Sequence, residues 1–353
     1  MPTLNAQRLE QLTIDIFEKL GAPHDNAACV ASHLVGANLA GHDSHGVMRV
    51  PQYAELIELG RLKPASHGQV VHQTPAIAGL DGQQGFGQVI GRQAMLLAMQ
   101  LARTSGIGAV SVRNCCHTGR IGTYTELAAR EGMLGLAVVN TGGGGQSVAP
   151  FGGIERRLAT NPISIAAPAA SGPPIVLDMA TSNAPEGKVR VRYQAGKELP
   201  PGWMINARGE PTINAADFYT EPVGSLLPVG AAYGYKGYGL AFMIDILAGA
   251  LSGAGCCEAG KPLVTDGMLA IALDVGQFSD RGPFDAQVQA LSEYVKSCPT
   301  AAGVESVLLP GDVELRMRET RLRDGIPIEN GTWRLIEGVA QRCGIATGVA
   351  SSS

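Results

Sequence analysis

The sequence predicts an α/β protein in which a helical unit from both chain ends packs around an inserted, sheet-containing unit. The first ~60 residues read as amphipathic helices, and short β-branched segments alternate with helical patterns from about Val70. The tail from Pro310 is helical again. We expect a mainly helical domain from residues 1–70 and 305–353, and an α/β domain from residues 71–304. A length of 353 residues suits two domains of ~100–200 residues or more each.

The N-terminal helices are defined by their periodicity and by the residues that break them. Gly21 and Gly41 end the first two, Pro51 bends or restarts the third, and residues 63–68 form a linker rich in Pro, Gly and His. The three helical stretches are expected at Leu4–Leu20, at about Asp25–Ala40 and from near Ser44 to Leu59.

Strands and helices alternate in the middle of the chain. Strands are expected at Ala109–Val112, Leu134–Val139, Ile163–Ala167, Ile175–Leu177 and Leu269–Val275. Helices are expected at Val89–Thr104, Ile121–Arg130, Leu240–Leu251 and Phe284–Lys296. The most apolar segment, from Gly239 to Leu251, contains Asp245, so a buried core helix explains it better than a membrane span.

Composition and charge exclude several classes of function. The net charge of −4 and the absence of a Lys/Arg run argue against a nucleic-acid surface, so small molecules are the expected partners. No uncharged apolar run reaches ~18 residues, and the first helix carries scattered charges unlike a signal peptide. Seven cysteines, with two adjacent pairs and no zinc-type spacing, favour a reduced, cytoplasmic protein over a disulfide framework.

No Rossmann fingerprint is present. The nearest approach to G-x-G-x-x-G, Gly85-Phe86-Gly87 with Gly91, has the wrong spacing. The glycines of residues 142–145 follow a predicted strand and could let backbone amides approach a pyrophosphate, although a flexible loop explains them equally well. A G-x-x-x-x-G-K-[ST] loop is absent, which disfavours an NTPase.

The segment GHDSHGVMRVPQY concentrates groups suited to acid–base chemistry on a carboxylate. Oxidation of a 2-hydroxy acid needs a base for the hydroxyl proton, and His45 suits that reversible role near neutrality. On a helix, Arg49 would lie on the same face, ~5–6 Å away at Cβ, where it could grip the substrate carboxylate. Ser44 could orient the imidazole. The alternative is that His45 caps a helix and Arg49 is a surface charge.

A metal site is the competing interpretation of the histidines. His42 and His45 lie three residues apart, with Asp43 beside them and His117 elsewhere, but no third ligand follows at a diagnostic spacing. We therefore expect no metal. A metal-dependent hydrolase remains the alternative from another class of enzyme.

Four further polar segments lie at expected junctions of strands with loops or helices. They carry His117, Thr160, Asp178 and Lys236, within residues 116–122, 159–162, 177–182 and 234–240. A strand-to-helix junction commonly faces a ligand, and a lysine between glycines before an apolar helix is well placed to meet a phosphate. Turn and cap chemistry, or a solvated lysine, are the alternatives.

Together these segments resemble the malate/L-lactate dehydrogenase family, whose members lack the Rossmann fold. The family includes ureidoglycolate and sulfolactate dehydrogenases, diketogulonate reductase and piperideine-2-carboxylate reductase. The resemblance spans about residues 5 to 345. Within the family, the sequence resembles the bacterial hydroxycarboxylate dehydrogenases in particular. Its motifs occur in order as DSHGVMRVPQY, HTGRIGTYTELA, VAPFGG, TNP, VLDMATS, PPGWMINARGEPT, KGYGLAFMIDILAGALSGAG and LLPGD.

The resemblance implies a role for each matching residue. It implies a catalytic His45 supported by Ser44 and Asp178, with Arg49 and Thr160 on the substrate carboxylate. His117 lies where some members place the proton-transfer residue, so the choice between it and His45 stays open. The implied cofactor is NAD or NADP, of which NAD is slightly favoured. The resemblance also implies that the protein is a homodimer and that the α/β domain binds this cofactor. Its contacts map to Asn140 or Thr141, Asp178, Met179, Ala180, Lys236, Gly237, Pro310, Gly311 and Asp312.

Two departures from the family pattern affect specificity. Ala159 replaces the glycine usual before Thr-Asn-Pro, and Tyr235 replaces the histidine usual before Lys-Gly. The second leaves nucleotide preference and substrate size open. An imine reductase that makes cyclic amino acids would need the same His, Arg and cofactor, so only the substrate separates it from a hydroxy-acid dehydrogenase. A catalytically silent binding protein on this scaffold is a further alternative.

Overall fold

A computed structural model describes residues 1–260 and 263–347 of the chain. Seven of its strands form one central sheet. In chain order the strands are β1 (Thr3–Leu4), β2 (Gln69–Gln73), β3 (Ile77–Asp81), β4 (Ile107–Cys115), β5 (Met133–Gly143), β6 (Ile163–Ala167), β7 (Ile175–Met179), β8 (Met204–Ile205), β9 (Pro211–Thr212), β10 (Ser225–Leu226), β11 (Leu263–Asp274) and β12 (Ile326–Pro327).

The central sheet has the order β2-β3-β4-β11-β5-β6-β7. Only β3 and β4 run parallel, and every other neighbouring pair is antiparallel. A Rossmann unit is built on a mostly parallel sheet, so this mixed topology agrees with the missing glycine fingerprint. The short strands β8, β9 and β10 form a separate three-stranded sheet.

The helices cover the sheet and form a layer from the chain ends. They are α1 (Ala6–Lys19), α2 (His24–Leu39), α3 (Val50–Glu58), α4 (Gly87–Ser105), α5 (Gly122–Arg130), α6 (Glu186–Gln194), α7 (Gly234–Ile244), α8 (Val275–Phe278), α9 (Arg281–Lys296), α10 (Asp312–Asp324) and α11 (Asn330–Arg342). Short 3₁₀ turns occupy Asp43–His45, Val47–Arg49, Ala215–Phe218 and Ala231–Tyr233, and a π-helical turn spans Asp245–Ala250.

The two chain ends share one hydrophobic core. Phe17 of α1 and Leu34 of α2 belong to the same buried cluster as Trp333 and Ile336 of α11. β1 and β12 also pair directly, in antiparallel register. A second buried cluster joins α4 and α5 to the central sheet. The predicted α/β class, with a helical unit from both ends, is therefore confirmed, while the domain boundaries at residues 70 and 305 stay predictions.

The prediction of a helix from Ser44 to Leu59 is wrong for the first part of that segment. Two 3₁₀ turns occupy that part, and α3 begins only at Val50, with Pro51 in its first turn, where proline is well tolerated. Between the turns Gly46 is extended, and a side chain there would collide with Asn38. Asn38 instead accepts a hydrogen bond at Oδ1 from the amide of Val47, at 2.8 Å. Tertiary contacts therefore break the helical pattern.

The other elements agree with the prediction to different degrees. β6 has the predicted bounds, whereas the helix predicted at Leu240–Leu251 begins earlier, as α7, and ends in the π-helical turn. Residues 183–230 hold α6 and three two-residue strands that periodicity did not indicate. Across residues 1–260 and 263–347, no helix combines the length and the apolar character that a membrane crossing requires.

Candidate active site

A cavity of about 480 Å³ lies between the turn at Asp43–His45, the start of α5 and the end of β7. Six of the residues predicted for the site line it: Ser44, His45, Thr160, Asp178, Met179 and Ala180. Arg120, Lys188 and Glu314 add charged groups to its wall. The residues come from separated parts of the sequence, so the fold gathers them at one place.

The turn that carries His45 is fixed by the C-terminal helix α10. Arg321 of α10 forms a two-pronged ion pair with Asp43, through Nη1 at 2.6 Å and Nη2 at 2.9 Å, and Asn38 donates to the same carboxylate at 2.6 Å. His42 contacts Glu314 of α10, at 3.2 Å between Nε2 and Oε1. Asp43 and His42 thus attach the turn to the helix, and the chain ends position the site.

His45 and His117 form a stacked pair, called here the histidine pair. Their ring centroids lie 5.4 Å apart with an interplanar angle of 20°. Ser44 Oγ lies 2.9 Å from His45 Nδ1, and its role in orienting the imidazole stays a prediction. Burial lowers the pKa of both histidines well below the usual value, and the positive charge of Arg49 lowers it further. Both rings are therefore neutral near pH 7.

Arg49 lies beside the histidine pair, although not through the helical spacing expected. Its Nε donates to the carbonyl of Ser44 at 2.7 Å, and its Nη1 donates to Gln52 Oε1 at 2.7 Å. These bonds leave Nη2 without a hydrogen-bond partner in the described part of the chain. Burial lowers the pKa of Arg49, but a guanidinium stays protonated in proteins. Arg49 is therefore a half-buried cation with unused donors beside the histidine pair, outside the lining of the cavity itself.

Asp178 also lines the cavity, at the end of β7. Its Oδ2 accepts from the amide of Gly122 at 3.0 Å and lies 3.3 Å from Arg120 Nε. Burial raises the pKa of Asp178, and the nearby charge of Arg120 opposes that shift. No hydrogen bond joins this carboxylate to either member of the histidine pair, although Asp178 and His45 line the same cavity.

The residues predicted to contact a cofactor do not form one continuous surface. Met179 and Ala180 line the cavity, next to Asp178. Asn140 is buried on β5, where its Nδ2 donates to Asp245 at 3.1 Å and to the carbonyl of Gly255 at 2.9 Å. Among the described residues, the Oδ1 atom of Asn140 has no hydrogen-bond partner. Within this predicted set, the structure places only Asp178, Met179 and Ala180, at the end of β7, directly at the cavity.

The remaining cofactor candidates lie at the edges of the region. Lys236 is exposed near the start of α7, with Nζ 5.4 Å from the ring centre of Tyr233. Gly237 packs so closely on Val229 that a side chain would not fit. The segment Pro310–Asp312 runs along the outside of β7, where the Pro310 carbonyl accepts from the amide of Val176 at 3.1 Å. Asp312 pairs with Lys296 at 3.2 Å.

Comparison with known proteins identifies the family. A family model described as malate/L-lactate dehydrogenase matches residues 4–337. The chain belongs to this family. A malate dehydrogenase from Pyrococcus abyssi is 38% identical over 96% of this chain and 94% of its own length. Hydroxycarboxylate dehydrogenase B from Escherichia coli is 36% identical over 97% of this chain and 94% of its own length.

Solved structures of malate/L-lactate dehydrogenase family members have the same fold. The malate dehydrogenase structure from Pyrococcus horikoshii superposes with a TM-score of 0.88 at 33% identity, over 98% of this chain and 96% of that one. The Δ1-piperideine-2-carboxylate reductase from Pseudomonas syringae superposes with a TM-score of 0.80 at 27% identity, over 96% of this chain and all of the other. The resemblance inferred from the motifs is therefore confirmed.

This member of the malate/L-lactate dehydrogenase family also contains site residues that sequence reasoning missed. Asp266 of β11 is buried, and its carboxylate accepts from the Thr118 amide at 3.1 Å and from Thr141 Oγ1 at 3.2 Å. Burial raises the pKa of Asp266 to about 6. A charged residue at the start of an otherwise apolar strand was the available signal. Arg120 and Tyr53 lie inside the motifs HTGRIGTYTELA and DSHGVMRVPQY, but no spacing or neighbouring residue in the sequence marked either of them as a site residue.

The predicted metal alternative has no matching arrangement in residues 1–260 and 263–347. No group of three or more His, Cys, Asp or Glu side chains there is placed to hold a metal ion. His42 faces Glu314, whereas His45 faces Ser44 and stacks on His117. The histidines that the sequence groups together are thus directed to different partners.

Proposed function

We propose that the chain is an NAD(P)-dependent 2-hydroxycarboxylate dehydrogenase that moves a hydride between NAD(P)H and a small 2-keto acid. The observation that carries this proposal is the neutral histidine pair beside the half-buried guanidinium of Arg49. A 2-hydroxy acid presents a hydroxyl proton and a carboxylate on adjacent carbons. A neutral base next to a cation with unused donors matches both groups.

Arg49 is the proposed anchor for the substrate carboxylate. Its Nε and Nη1 are held by protein oxygens, which fixes the plane of the guanidinium and leaves Nη2 to donate to the ligand. Charge-assisted hydrogen bonds of this kind are about twice as strong as neutral ones. Thr160, which lines the cavity, is proposed to donate its hydroxyl to the same carboxylate. The reacting carbon then lies next to the histidine pair.

His45 is the proposed acid–base group. During oxidation its unprotonated ring nitrogen accepts the hydroxyl proton, and during reduction the protonated ring returns that proton to the keto oxygen. Ser44 at Nδ1 holds the imidazole in place, so Nε2 is the nitrogen left for the substrate. Asp178 contributes a carboxylate to the lining of the cavity, where it keeps Arg120 and the start of α5 in position.

The cavity fits a nicotinamide cofactor by its size and its lining. Its roughly 480 Å³ falls within the ~300–1,000 Å³ typical of ligand sites, and Met179 with Ala180 offers an apolar wall for a flat ring. Arg120 and Lys188 supply positive charge for phosphate or carboxylate groups. When bound, the nicotinamide supplies the hydride acceptor or donor. We propose that Lys236 and residues 310–312 hold the more distant parts of the cofactor.

The direct test is oxidation of NADH and NADPH, followed by absorbance, against a panel of small 2-keto acids. We expect turnover with at least one 2-keto acid, at a slightly higher rate with NADH than with NADPH. EDTA should not change the rate. A loss of turnover with EDTA that zinc restores would overturn the metal-free part of the proposal. If no 2-keto acid is reduced with either nucleotide, the dehydrogenase proposal fails.

A cyclic imine reductase is the second candidate, because the Pseudomonas syringae piperideine-2-carboxylate reductase has a similar structure. A cyclic imino acid also carries a carboxylate next to the carbon that receives hydride, so Arg49 would serve it equally well. The same panel should include piperideine-2-carboxylate and pyrroline-2-carboxylate. Faster reduction of these imines than of every 2-keto acid would make this second candidate the function.

The protein is further proposed to be a cytoplasmic homodimer. Phe242, Met243 and Leu251, in α7 and the turn after it, expose at least half of their surface, and a second copy of the chain would cover this apolar strip. The seven free thiols fit a reducing compartment. Light scattering after gel filtration should give twice the monomer mass. A monomer at micromolar concentration would contradict the dimer.

A further inference from the structure

Tyr53 joins His117 to Gln88 in a short buried chain of hydrogen bonds. The Tyr53 hydroxyl lies 2.6 Å from His117 Nδ1 and 2.7 Å from Gln88 Nε2. Tyr53 is 1% exposed and Gln88 is fully buried, so water does not compete for these bonds. His117 Nε2 has no hydrogen-bond partner among residues 1–260 and 263–347. One edge of the imidazole is thus occupied by protein, and the other is left for a ligand.

The chemistry of the three groups fixes where the protons lie. An amide nitrogen only donates, so the Tyr53 oxygen accepts from Gln88. Among the described residues His117 Nδ1 is the other hydrogen-bond partner of that hydroxyl, and a proton on Nδ1 would leave the buried phenol proton without an acceptor, so the phenol donates to Nδ1. The 2.6 Å separation is usual for an O–H donor and shorter than the ~2.7–3.2 Å usual for an N–H donor. Burial raises the pKa of Tyr53 and lowers that of His117, so the phenol keeps its proton and the imidazole stays neutral.

We infer that Tyr53, held by Gln88, is a positioning residue that locks His117 in the neutral tautomer with its proton on Nε2. In that tautomer His117 can donate a hydrogen bond to the substrate oxygen but cannot accept a proton at Nε2. Proton acceptance is then left to His45, whose Nδ1–H can donate to the Ser44 hydroxyl, which leaves its Nε2 unprotonated. This division of roles rests on the proposed function, whereas the tautomer itself does not.

The tautomer can be measured without any substrate. The two ring nitrogens of a neutral imidazole differ widely in ¹⁵N chemical shift according to which one carries the proton. Long-range ¹H–¹⁵N correlation spectra of the full chain labelled with ¹⁵N-histidine, with His117→Gln to assign the resonance, report this state directly. We expect His117 to have a protonated Nε2 and an unprotonated, hydrogen-bonded Nδ1. A proton on Nδ1 would overturn the inference.

The role of Tyr53 is tested by Tyr53→Phe, which removes only the hydroxyl. His117 should then populate both tautomers, and kcat should fall by about 2–12-fold with little change in KM, the size expected for one net hydrogen bond. Tyr124→Phe is the matched control, because Tyr124 is equally buried and donates to backbone carbonyls rather than to His117. It should leave the His117 tautomer unchanged.

The outcomes separate this inference from the proposed function. An unchanged Nε2-protonated ring in Tyr53→Phe would show that Tyr53 does not fix the tautomer. If Tyr53→Phe fails to fold, the wild-type spectrum still tests the tautomer. An expected spectrum together with no turnover on any 2-keto acid or imine would overturn the proposed function and leave the tautomer intact. Near-normal turnover in His45→Ala would overturn the division of roles.

Discussion

The histidine pair and the start of α7 both carry residues predicted for the site, but they differ in burial. Around His45 and His117, Ser44, Tyr53 and Arg49 are held by hydrogen bonds in a desolvated pocket. At the start of α7, Lys236 is exposed over the faces of Tyr233 and Tyr235, with no carboxylate paired to it in the described residues. Desolvation strengthens electrostatic interactions, so equal changes in charge should have unequal effects in the two places.

The largest loss of activity is expected when His45, the proposed acid–base group, is removed. His45→Ala should lower kcat for hydroxy-acid oxidation by ~10²–10⁴, the usual contribution of a positioned acid–base group. Formation of NADH or NADPH measures it. His24→Ala is the matched control, because the His24 side chain is 75% exposed and pairs only with Glu18, so its removal should leave turnover unchanged. If His45→Ala kept near-normal turnover while His117→Ala abolished it, the two histidines would have to exchange roles.

Arg49 should show the next largest effect. Removing a charge-assisted pair in a desolvated site costs ~2–5 kcal/mol, much of it from the substrate carboxylate left unpaired. Arg49→Ala should lower kcat/KM for 2-keto acids by more than ~30-fold, since each 1.4 kcal/mol is a factor of ten. Arg49→Lys should recover only part of the loss, because an ammonium lacks the planar fork. Cofactor affinity should barely change.

A substrate amide sharpens the test of Arg49. Replacing the substrate carboxylate by an amide should harm the wild type about as much as Arg49→Ala does, and should cost the variant little more. If the two losses simply multiplied, Arg49 would not hold the carboxylate. Arg157→Ala is a suitable control, since Arg157 is exposed and pairs with Glu155 away from the cavity.

Burial should also move the pH dependence of oxidation. The sequence predicts a rise in kcat/KM through one group near neutrality, but burial and then the charge of Arg49 lower the pKa of His45 well below its usual value. A lowered pKa means that the proton leaves at more acidic pH, so the base is already free there. An ordinary histidine, with a pKa of ~6.5, would be about 90% protonated at one pH unit below that value.

The kcat/KM profile should therefore stay nearly flat across the ordinary histidine range and fall only in more acidic solution. Asp266 is the other group to consider, because burial raises its pKa to about 6. A limb near pH 6 that disappears in Asp266→Asn would belong to that carboxyl group. A limb at the ordinary histidine pKa that persists in Asp266→Asn would contradict a buried, neutral His45.

The smallest loss of activity is expected for Lys236, at the exposed start of α7. Lys236→Ala should raise KM for the cofactor by about 3–10-fold and leave kcat nearly unchanged, because an exposed charge pair contributes only ~1 kcal/mol. The effect should shrink in high salt. Lys197→Ala is a control with another exposed lysine. A loss in kcat as large as that of His45→Ala would show that burial does not separate the two regions as we argue.

Part of this site could be predicted from the sequence because it is contiguous. Ser44, His45 and Arg49 come from one short segment, and the motif keeps them together whatever the local backbone does. The helix assumed for the spacing argument does not form, since Gly46 must pack on Asn38 and Pro51 favours a helix start. Arg49 nevertheless reaches the site because its guanidinium bonds back to the carbonyl of Ser44.

The rest of the site depends on contacts between distant parts of the chain. Asp266 accepts a hydrogen bond from Thr118, which is 148 residues away in the sequence, and Arg321 pairs with Asp43, which is 278 residues away. Gln88 lies 35 residues from Tyr53. Periodicity places each of these residues on an element but gives no information about its partner. The β6 strand was predictable to its ends for the opposite reason, because its β-branched pattern is local.

Direct transfer of hydride between nicotinamide and the 2-carbon is the central claim, and isotope transfer tests it most directly. NADH or NADPH carrying deuterium at C4 of the nicotinamide, prepared separately with each stereochemistry, is incubated with the protein and the best 2-keto acid. The product is analysed by mass spectrometry. We predict that one of the two stereoisomers gives a 2-hydroxy acid with a single deuterium on C2. A product without deuterium from both stereoisomers, or label found only when a cyclic imine is supplied, would contradict the proposed function.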